Sequence, residues 1–99
     1  MKYQEPHSDI YTIYTKSNCK YCTLTKEFLI NENIIIINCD EYLENNKNNF
    51  LDFIKNLTDI EYKTFPIIFF DKKFIGGYSE ILNYEKNKIN SLNLQIVDF

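Results

Sequence analysis

Short runs of β-branched and aromatic residues alternate along the chain with longer segments whose apolar residues recur at helical spacing. Residues 10–15 alternate Ile, Tyr and Thr, which predicts a strand. Ser17 or Asn18 can then cap a helix that extends to about residue 32. The apolar face of this helix is expected to consist of Tyr21, Leu24 and Phe28. Residues 34–37 are all isoleucine, which predicts a second strand buried on both faces.

The second half of the chain continues this alternation. After a polar segment at residues 41–49, a second helix is predicted from the spacing of Phe50, Phe53, Ile54 and Leu57. Residues 67–70 and 73–75 flank Asp71-Lys72 and predict a hairpin, which Gly76-Gly77 ends. Ser79 can cap a third helix, whose apolar residues towards the sheet would be Ile81, Leu82 and Ile89. The order βαβαββα predicts an α/β fold with a right-handed parallel crossover.

Length and aromatic content predict a single domain at residues 1–99. Its 99 residues are 44% hydrophobic and include 8 Tyr and 8 Phe, enough for one core but not for two. Residues 1–9 form a polar lead-in without the apolar stretch of a secretory signal. At the other end, residues 92–99 alternate apolar and polar positions, which favours an extended segment over a helix. The role of the tail at residues 91–99 is left open.

Charge and cysteine content exclude several classes of protein. A net charge of −3 argues against a nucleic-acid binder that needs many phosphate contacts. The four-residue isoleucine run is too short to span a membrane. Three cysteines do not form the even set expected of a small secreted disulfide scaffold. These features indicate a reducing, cytoplasmic compartment.

The motif Cys19-Lys20-Tyr21-Cys22 lies between a predicted strand and a predicted helix, the context in which a C-x-x-C pair is typical of redox proteins. Backbone N–H groups and the helix dipole at that position stabilise an anion, so the thiolate of Cys19 is favoured. A free cysteine pKa of ~8.5 can fall to roughly 3.5–7.5 in such settings. We therefore predict that Cys19 is the nucleophile. Cys22, nearly one turn further on and less exposed, would be the resolving thiol.

A zinc site is the alternative interpretation of the same spacing. The other soft ligands in the chain are His7 and Cys39, so a tetrad with Cys19 and Cys22 would draw its ligands from scattered positions. Redox use is therefore favoured and no metal site is predicted. We expect Cys39 to be a packed core thiol and His7 a solvated surface residue.

Three segments resemble motifs of the glutaredoxin family in order and spacing. They are the run Tyr-Thr-Lys-Ser-Asn-Cys-Lys-Tyr-Cys at residues 14–22, Thr-Phe-Pro at 64–66 and Gly-Gly-Tyr-Ser-Glu at 76–80. They resemble the family's active-site, Thr-Val-Pro and Gly-Gly-x-x-Asp motifs, and the resemblance extends from Ile10 to about Asn90. It implies a thioredoxin-like fold, with a four-stranded mixed sheet flanked by about three helices. It also implies a cis Pro66 that places the backbone of Phe65 beside the cysteines.

The resemblance implies glutathione as co-substrate. The residues it assigns to glutathione are Lys16, Tyr21, Lys63, Thr64, Phe65, Pro66, Gly77, Tyr78, Ser79 and Glu80. Lys16 would hold the glycine carboxylate, and Lys63 is either a second candidate for this contact or a solvated lysine. Residues 64–66 would frame the cysteinyl part. Residues 77–80, at a helix N-terminus that can receive a carboxylate, would hold the γ-glutamyl group.

Three departures from the family pattern bear on these implications. Lys20 replaces the commonest residue, proline, which should alter the electrostatics of Cys19. Glu80 replaces the usual Asp, and the tail does not match the expected closing helix. Some family members without that proline bind a glutathione-ligated [2Fe–2S] cluster at a dimer interface, so a cluster stays open without being predicted.

The predicted activity is the reduction of protein–glutathione mixed disulfides and protein disulfides by a monomer. The resemblance makes disulfide-bearing or glutathionylated proteins the expected partners, with ribonucleotide reductase as the substrate typical of the family. Two alternatives stay open. One is a thioredoxin-like protein recharged by a flavoprotein reductase, and the other is a non-catalytic metal-binding or iron–sulfur-binding module, which chelators would unfold.

Overall fold

The computed structural model of the chain describes residues 2–97, and the side chains of residues 2–88. Its elements are β1 (Tyr11–Thr15), α1 (Lys20–Phe28), β2 (Ile34–Asn38), α2 (Asp40–Thr58), β3 (Ile67–Phe70), β4 (Lys73–Gly76) and α3 (Tyr78–Val97). The predicted order βαβαββα is confirmed. The strands form one four-stranded sheet in the order β2-β1-β3-β4, with β1 and β2 parallel and β3 antiparallel to β1 and β4. This mixed sheet with three helices is a thioredoxin-like fold.

The core consists of two clusters, because successive side chains of a strand point to opposite faces of the sheet. One cluster combines Tyr14 of β1 with Phe50 and Ile54 of α2. The other combines Ile13 of β1 with residues from the end of α1 and from α3. All five residues of β1 are buried, as expected of a central strand covered on both faces.

The prediction that β2 is buried on both faces is wrong. Ile37 is 4% exposed, whereas Ile36 is 43% exposed. β2 is an edge strand of the sheet, where the helices give less cover than they give to β1. The isoleucine run therefore indicated a strand correctly but not its place in the sheet.

The predicted apolar face of α1 is also wrong, by one position along the helix. Tyr21 and Phe28 are 53% and 43% exposed, while Cys22 and Thr25 are buried together with the C-cap residue Leu29. The Thr25 hydroxyl is satisfied inside the helix, since it donates to the Tyr21 carbonyl oxygen at 2.7 Å. This face brings Cys22 into the core and leaves Tyr21 at the surface.

Two helices are longer than predicted. α2 begins at Asp40 and contains a kink at Asn46, whose side-chain oxygen accepts a hydrogen bond from the Asn49 N–H and so caps the second half of the helix.

α3 begins at Tyr78, so Ser79 is its second residue and not its cap. It extends to Val97 and includes most of the tail predicted to be extended, because no Gly or Pro follows Gly77 to end a helix. The Ile89 side chain lies outside the described residues. Within residues 2–97, none of the helices combines the length and the apolar character that a membrane span requires.

Cys39 is confirmed as a packed thiol. It is 0% exposed, and its thiol donates to the Ile37 carbonyl oxygen at 3.5 Å. Burial, the largest influence, raises the pKa of this thiol to about 12. The folded protein therefore keeps a proton that the unfolded chain releases near pH ~8.5.

We expect Cys39 to resist iodoacetamide at pH 8 in the native protein and to react once the chain unfolds. Since its folded-state pKa is the higher one, its contribution to stability is complete below about pH 8.5 and is lost as pH rises from there towards 12. Urea unfolding at pH 8 and pH 10 should show this loss. A Cys39→Ala variant should have a shallower pH slope, and an equal slope would contradict the assignment.

Candidate active site

Cys19 is the N-cap residue of α1, with an extended backbone at φ −118° and ψ 105°. Its Sγ accepts a hydrogen bond from the Cys22 N–H at 3.2 Å, which satisfies one of the free amides of the first helical turn. The predicted caps are therefore wrong. Ser17 instead donates its N–H and its hydroxyl to Asp40, and Asn18 adopts a left-handed conformation with φ 57°.

Cys19 and Cys22 form a disulfide, with their Cα atoms 5.3 Å apart. Cys22 is 2% exposed, while Cys19 is partly exposed. Cys22 is thus the less exposed of the two, as expected from the sequence. An incoming thiol or disulfide can reach the sulfur of Cys19 before that of Cys22.

The loop before β3 lies against Cys19. The Phe65–Pro66 peptide bond is cis, which confirms the expectation for Pro66. Cys19 Sγ lies 3.7 Å from the Phe65 carbonyl oxygen, so backbone hydrogen-bonding groups stand beside the exposed sulfur. Lys16 Nζ lies 5.8 Å from the centroid of the Phe65 ring, within cation–π range.

A groove of about 360 Å³ leads from α1 past this loop to the N-terminus of α3. Its lining residues are Tyr21, Tyr62, Thr64, Phe65, Pro66, Gly77, Tyr78, Ser79 and Glu80. The predicted glutathione residues are therefore brought together, apart from two lysines. Lys16 reaches the Phe65 ring from beside the groove, and Lys63 lines a separate cavity of about 170 Å³.

Tyr62 is a groove residue that the sequence analysis missed. A Cβ at Gly77 would lie 2.7 Å from its hydroxyl oxygen, so the phenol stands directly over the start of α3. Its ring packs edge-on against Phe74, with centroids 5.1 Å apart, and burial is the main cause that raises the pKa of the phenol. A tyrosine in an irregular loop has no periodic pattern around it that could have indicated this position.

The Glu80 side chain folds back onto the first turn of α3. Its Oε1 accepts a hydrogen bond from the Gly77 N–H at 2.8 Å, the backward half of a capping box. Gly76 has φ +132°, and a Cβ there would lie 2.6 Å from Glu80 Cγ. The side chain that replaces the family's usual Asp is therefore folded over the two glycines.

The zinc alternative is not supported by the geometry. Among the described side chains, no group of three or more His, Cys, Asp or Glu residues lies close enough together to hold a metal ion. Cys39 is enclosed in the core, whereas His7 is exposed and donates its backbone N–H to Thr12.

A redox-active cysteine pair at a helix N-terminus, beside a cis-proline loop on a thioredoxin-like sheet, defines a thiol–disulfide oxidoreductase. The family profile for glutaredoxin matches residues 11–75. The chain belongs to the glutaredoxin family.

Solved glutaredoxin structures resemble this chain over most of its length. Glutaredoxin 1 from Francisella tularensis, in complex with cacodylate, is 26% identical with a TM-score of 0.68, over 81% of this chain and 95% of that one. A dithiol glutaredoxin from Trypanosoma brucei brucei is 22% identical with a TM-score of 0.64, over 81% and 80%. A buckwheat glutaredoxin–glutathione complex is 20% identical with a TM-score of 0.64, over 79% and 69%. No curated protein sequence matches the chain significantly.

Proposed function

We propose that this protein reduces protein–glutathione mixed disulfides and protein disulfides with glutathione as electron donor. The observation that carries the proposal is the position of the Cys19 sulfur. It is partly exposed, accepts a hydrogen bond from a helix N–H, and lies 3.7 Å from the carbonyl oxygen of Phe65, a residue that lines the groove. The groove volume of about 360 Å³ falls within the range of roughly 300–1,000 Å³ usual for small-molecule sites. The buckwheat relative has been solved with glutathione, which supports this choice of ligand.

Glutathione would lie along the groove with its sulfur towards Cys19. The backbone of Phe65 would pair with the tripeptide as an added strand does. The γ-glutamyl carboxylate would approach the N-terminus of α3, where free N–H groups and the helix dipole favour an anion. Lys16 would hold the glycine carboxylate at the other end, a role that fits Lys63 less well because Lys63 lines the neighbouring cavity.

Deglutathionylation would proceed in two thiol–disulfide exchange steps. The Cys19 thiolate attacks the glutathione sulfur of a mixed disulfide, forming a Cys19–glutathione disulfide and releasing the protein thiolate, which takes a proton. A second glutathione thiolate then attacks the bound glutathione sulfur, giving glutathione disulfide and restoring the Cys19 thiolate. For a protein disulfide, Cys22 expels the reduced partner from Cys19 and closes the internal disulfide, which two molecules of glutathione reopen.

The proposal extends to the compartment and the protein partners of the reaction. Turnover consumes reduced glutathione, so a reducing compartment such as the cytoplasm suits the reaction. The protein partners would be glutathionylated or disulfide-bearing proteins, among them a ribonucleotide reductase. The partly exposed sulfur of Cys19 would be accessible to such substrates.

The test compares two electron donors and two lysine variants. With a glutathionylated peptide, turnover should saturate with glutathione, and NADPH with a flavoprotein thioredoxin reductase should not replace it. Lys16→Gln should raise the KM for glutathione about tenfold, which corresponds to about 1.4 kcal/mol of lost binding. The matched variant Lys63→Gln should leave that KM within about twofold, a difference of only a few tenths of a kcal/mol. Turnover driven equally by the flavoprotein reductase would contradict the proposal.

A further inference from the structure

The loop that connects β1 to α1 is held by the first residue of α2. Asp40 Oδ1 accepts a hydrogen bond from the Ser17 N–H at 2.9 Å, and Asp40 Oδ2 accepts a second one from the Ser17 hydroxyl. These bonds join positions 23 residues apart in the chain. Ser17 lies two residues before Cys19, so the carboxylate holds the segment that presents the reactive sulfur.

Asp40 is itself held by the sheet. Because β1 and β2 are parallel neighbours, Thr15 pairs with Asn38, and the Cys39 N–H donates to the Thr15 carbonyl oxygen at 2.7 Å. The Asn38 side chain accepts a hydrogen bond from the Asp40 N–H at 2.9 Å. The carboxylate therefore extends from the hydrogen-bonded end of β2 towards an exposed loop.

The carboxylate is suited to accept both bonds. The hydroxyl and the N–H of Ser17 are the largest influences that lower the pKa of Asp40 below its usual value, and Lys16 adds a smaller one. An ionised carboxylate is only an acceptor and so meets two donors without conflict. Its place in the first turn of α2 favours the same charged form.

We propose that Asp40 is a positioning residue for thiol–disulfide exchange, and that it acts by holding Ser17 so that α1 begins with Cys19 Sγ directed at the groove. The inference rests on Cys19 being the attacking thiol, as proposed above. A positioning role and a purely electrostatic role of Asp40 predict opposite effects of its removal on the reactivity of Cys19. Removal of a nearby negative charge stabilises a thiolate and lowers its pKa. Loss of the positioning contact misdirects the sulfur and slows its reactions.

The experiment is a double-mutant cycle in a Cys22→Ser background, where Cys19 is the accessible thiol. Asp40→Ala, Ser17→Ala and the double variant are compared by their rate constant with a glutathionylated peptide and by the Cys19 thiol pKa from iodoacetamide alkylation. Asp40→Ala should slow the exchange at least about tenfold, since misplacing a reacting group by about 1 Å can cost about 10²-fold. Ser17→Ala should slow it less, and the double variant should match Asp40→Ala. Glu41→Ala removes a charge from the same helical turn and should leave the rate unchanged.

Three outcomes would overturn the positioning role. They are an Asp40→Ala rate equal to or above that of the parent, a Ser17→Ala effect that stays undiminished in the Asp40→Ala background, and a Glu41→Ala loss as large as that of Asp40→Ala. If Asp40→Ala does not fold, Ser17→Ala is the remaining test, because it retains the N–H bond and removes only the hydroxyl bond. A Ser17→Ala rate equal to that of the parent would then overturn the role. Activity that survives Cys19→Ser would instead remove the proposed function, so the two failures are distinguishable.

Discussion

Cys19→Ser should abolish both the reduction of glutathionylated peptide and the reduction of protein disulfides, bringing each rate to the uncatalysed level. The reason is geometric. Cys19 Sγ is the partly exposed sulfur at the start of α1, 3.7 Å from the Phe65 carbonyl oxygen, whereas Cys22 is 2% exposed and packed on the core face of α1. A serine hydroxyl does not form a disulfide, so no mixed intermediate can arise.

Cys22→Ser should separate the two activities. Deglutathionylation should continue, because its two steps use Cys19 and two glutathione molecules. Reduction of a protein disulfide should fall to near background, because the internal thiol that expels the partner from Cys19 is then missing. Mass spectrometry should detect Cys19 bound to glutathione in this variant.

Cys39→Ala is the matched control for both cysteine variants, since it removes a thiol that is enclosed in the core. It should retain both activities while losing stability. Activity that survives in Cys19→Ser, or a Cys22→Ser variant without any deglutathionylation, would show that the two sulfurs have other roles.

The elements of the fold could be predicted because they depend on local patterns. The β3 strand and its hairpin were predicted correctly because Ile67–Phe70 is short and apolar and two residues, Asp71-Lys72, separate it from the next strand. The structure shows that both turn residues have positive φ, as a two-residue type I′ hairpin turn requires. The face of α1 could not be placed in this way. Its two aromatic residues, Tyr21 and Phe28, are exposed, and Tyr21 lines the groove where a ligand is proposed to bind. A site that displays aromatic residues contradicts the amphipathic pattern on which the prediction relied.

Contacts between distant parts of the chain were the second feature that the sequence could not predict. Most residues that line the groove belong to the three sequence motifs, because each motif is local and the family resemblance indicated how the motifs assemble. The hydrogen bonds from Ser17 to Asp40 depend on the parallel pairing of β1 with β2. Tyr62 lies in the loop before β3, and its hydroxyl reaches Gly77 at the start of α3 only because this loop folds over that helix end. No periodicity in the sequence encodes either contact.

Gly76→Ala should be the most damaging change at the far end of the groove. Gly76 has φ +132°, which L side chains rarely adopt, and its new Cβ would lie 2.6 Å from Glu80 Cγ. Backbone strain of this kind costs about 1–3 kcal/mol, and the displaced Glu80 would also lose its hydrogen bond to the Gly77 N–H. A melting temperature lower by about 10 °C or more is expected for a domain of this size.

Gly77→Ala is the matched comparison, because Gly77 does not have a left-handed φ. Its Cβ would meet the Tyr62 hydroxyl oxygen at 2.7 Å, inside the groove. This variant should lose less stability but should raise the KM for glutathione, and adding Tyr62→Phe should recover much of that loss by removing the atom that clashes. The same Tyr62→Phe change should not rescue Gly76→Ala, whose defect lies in the backbone and in Glu80. Equal losses of melting temperature in the two glycine variants, or a rescue of both by Tyr62→Phe, would contradict this account of the start of α3.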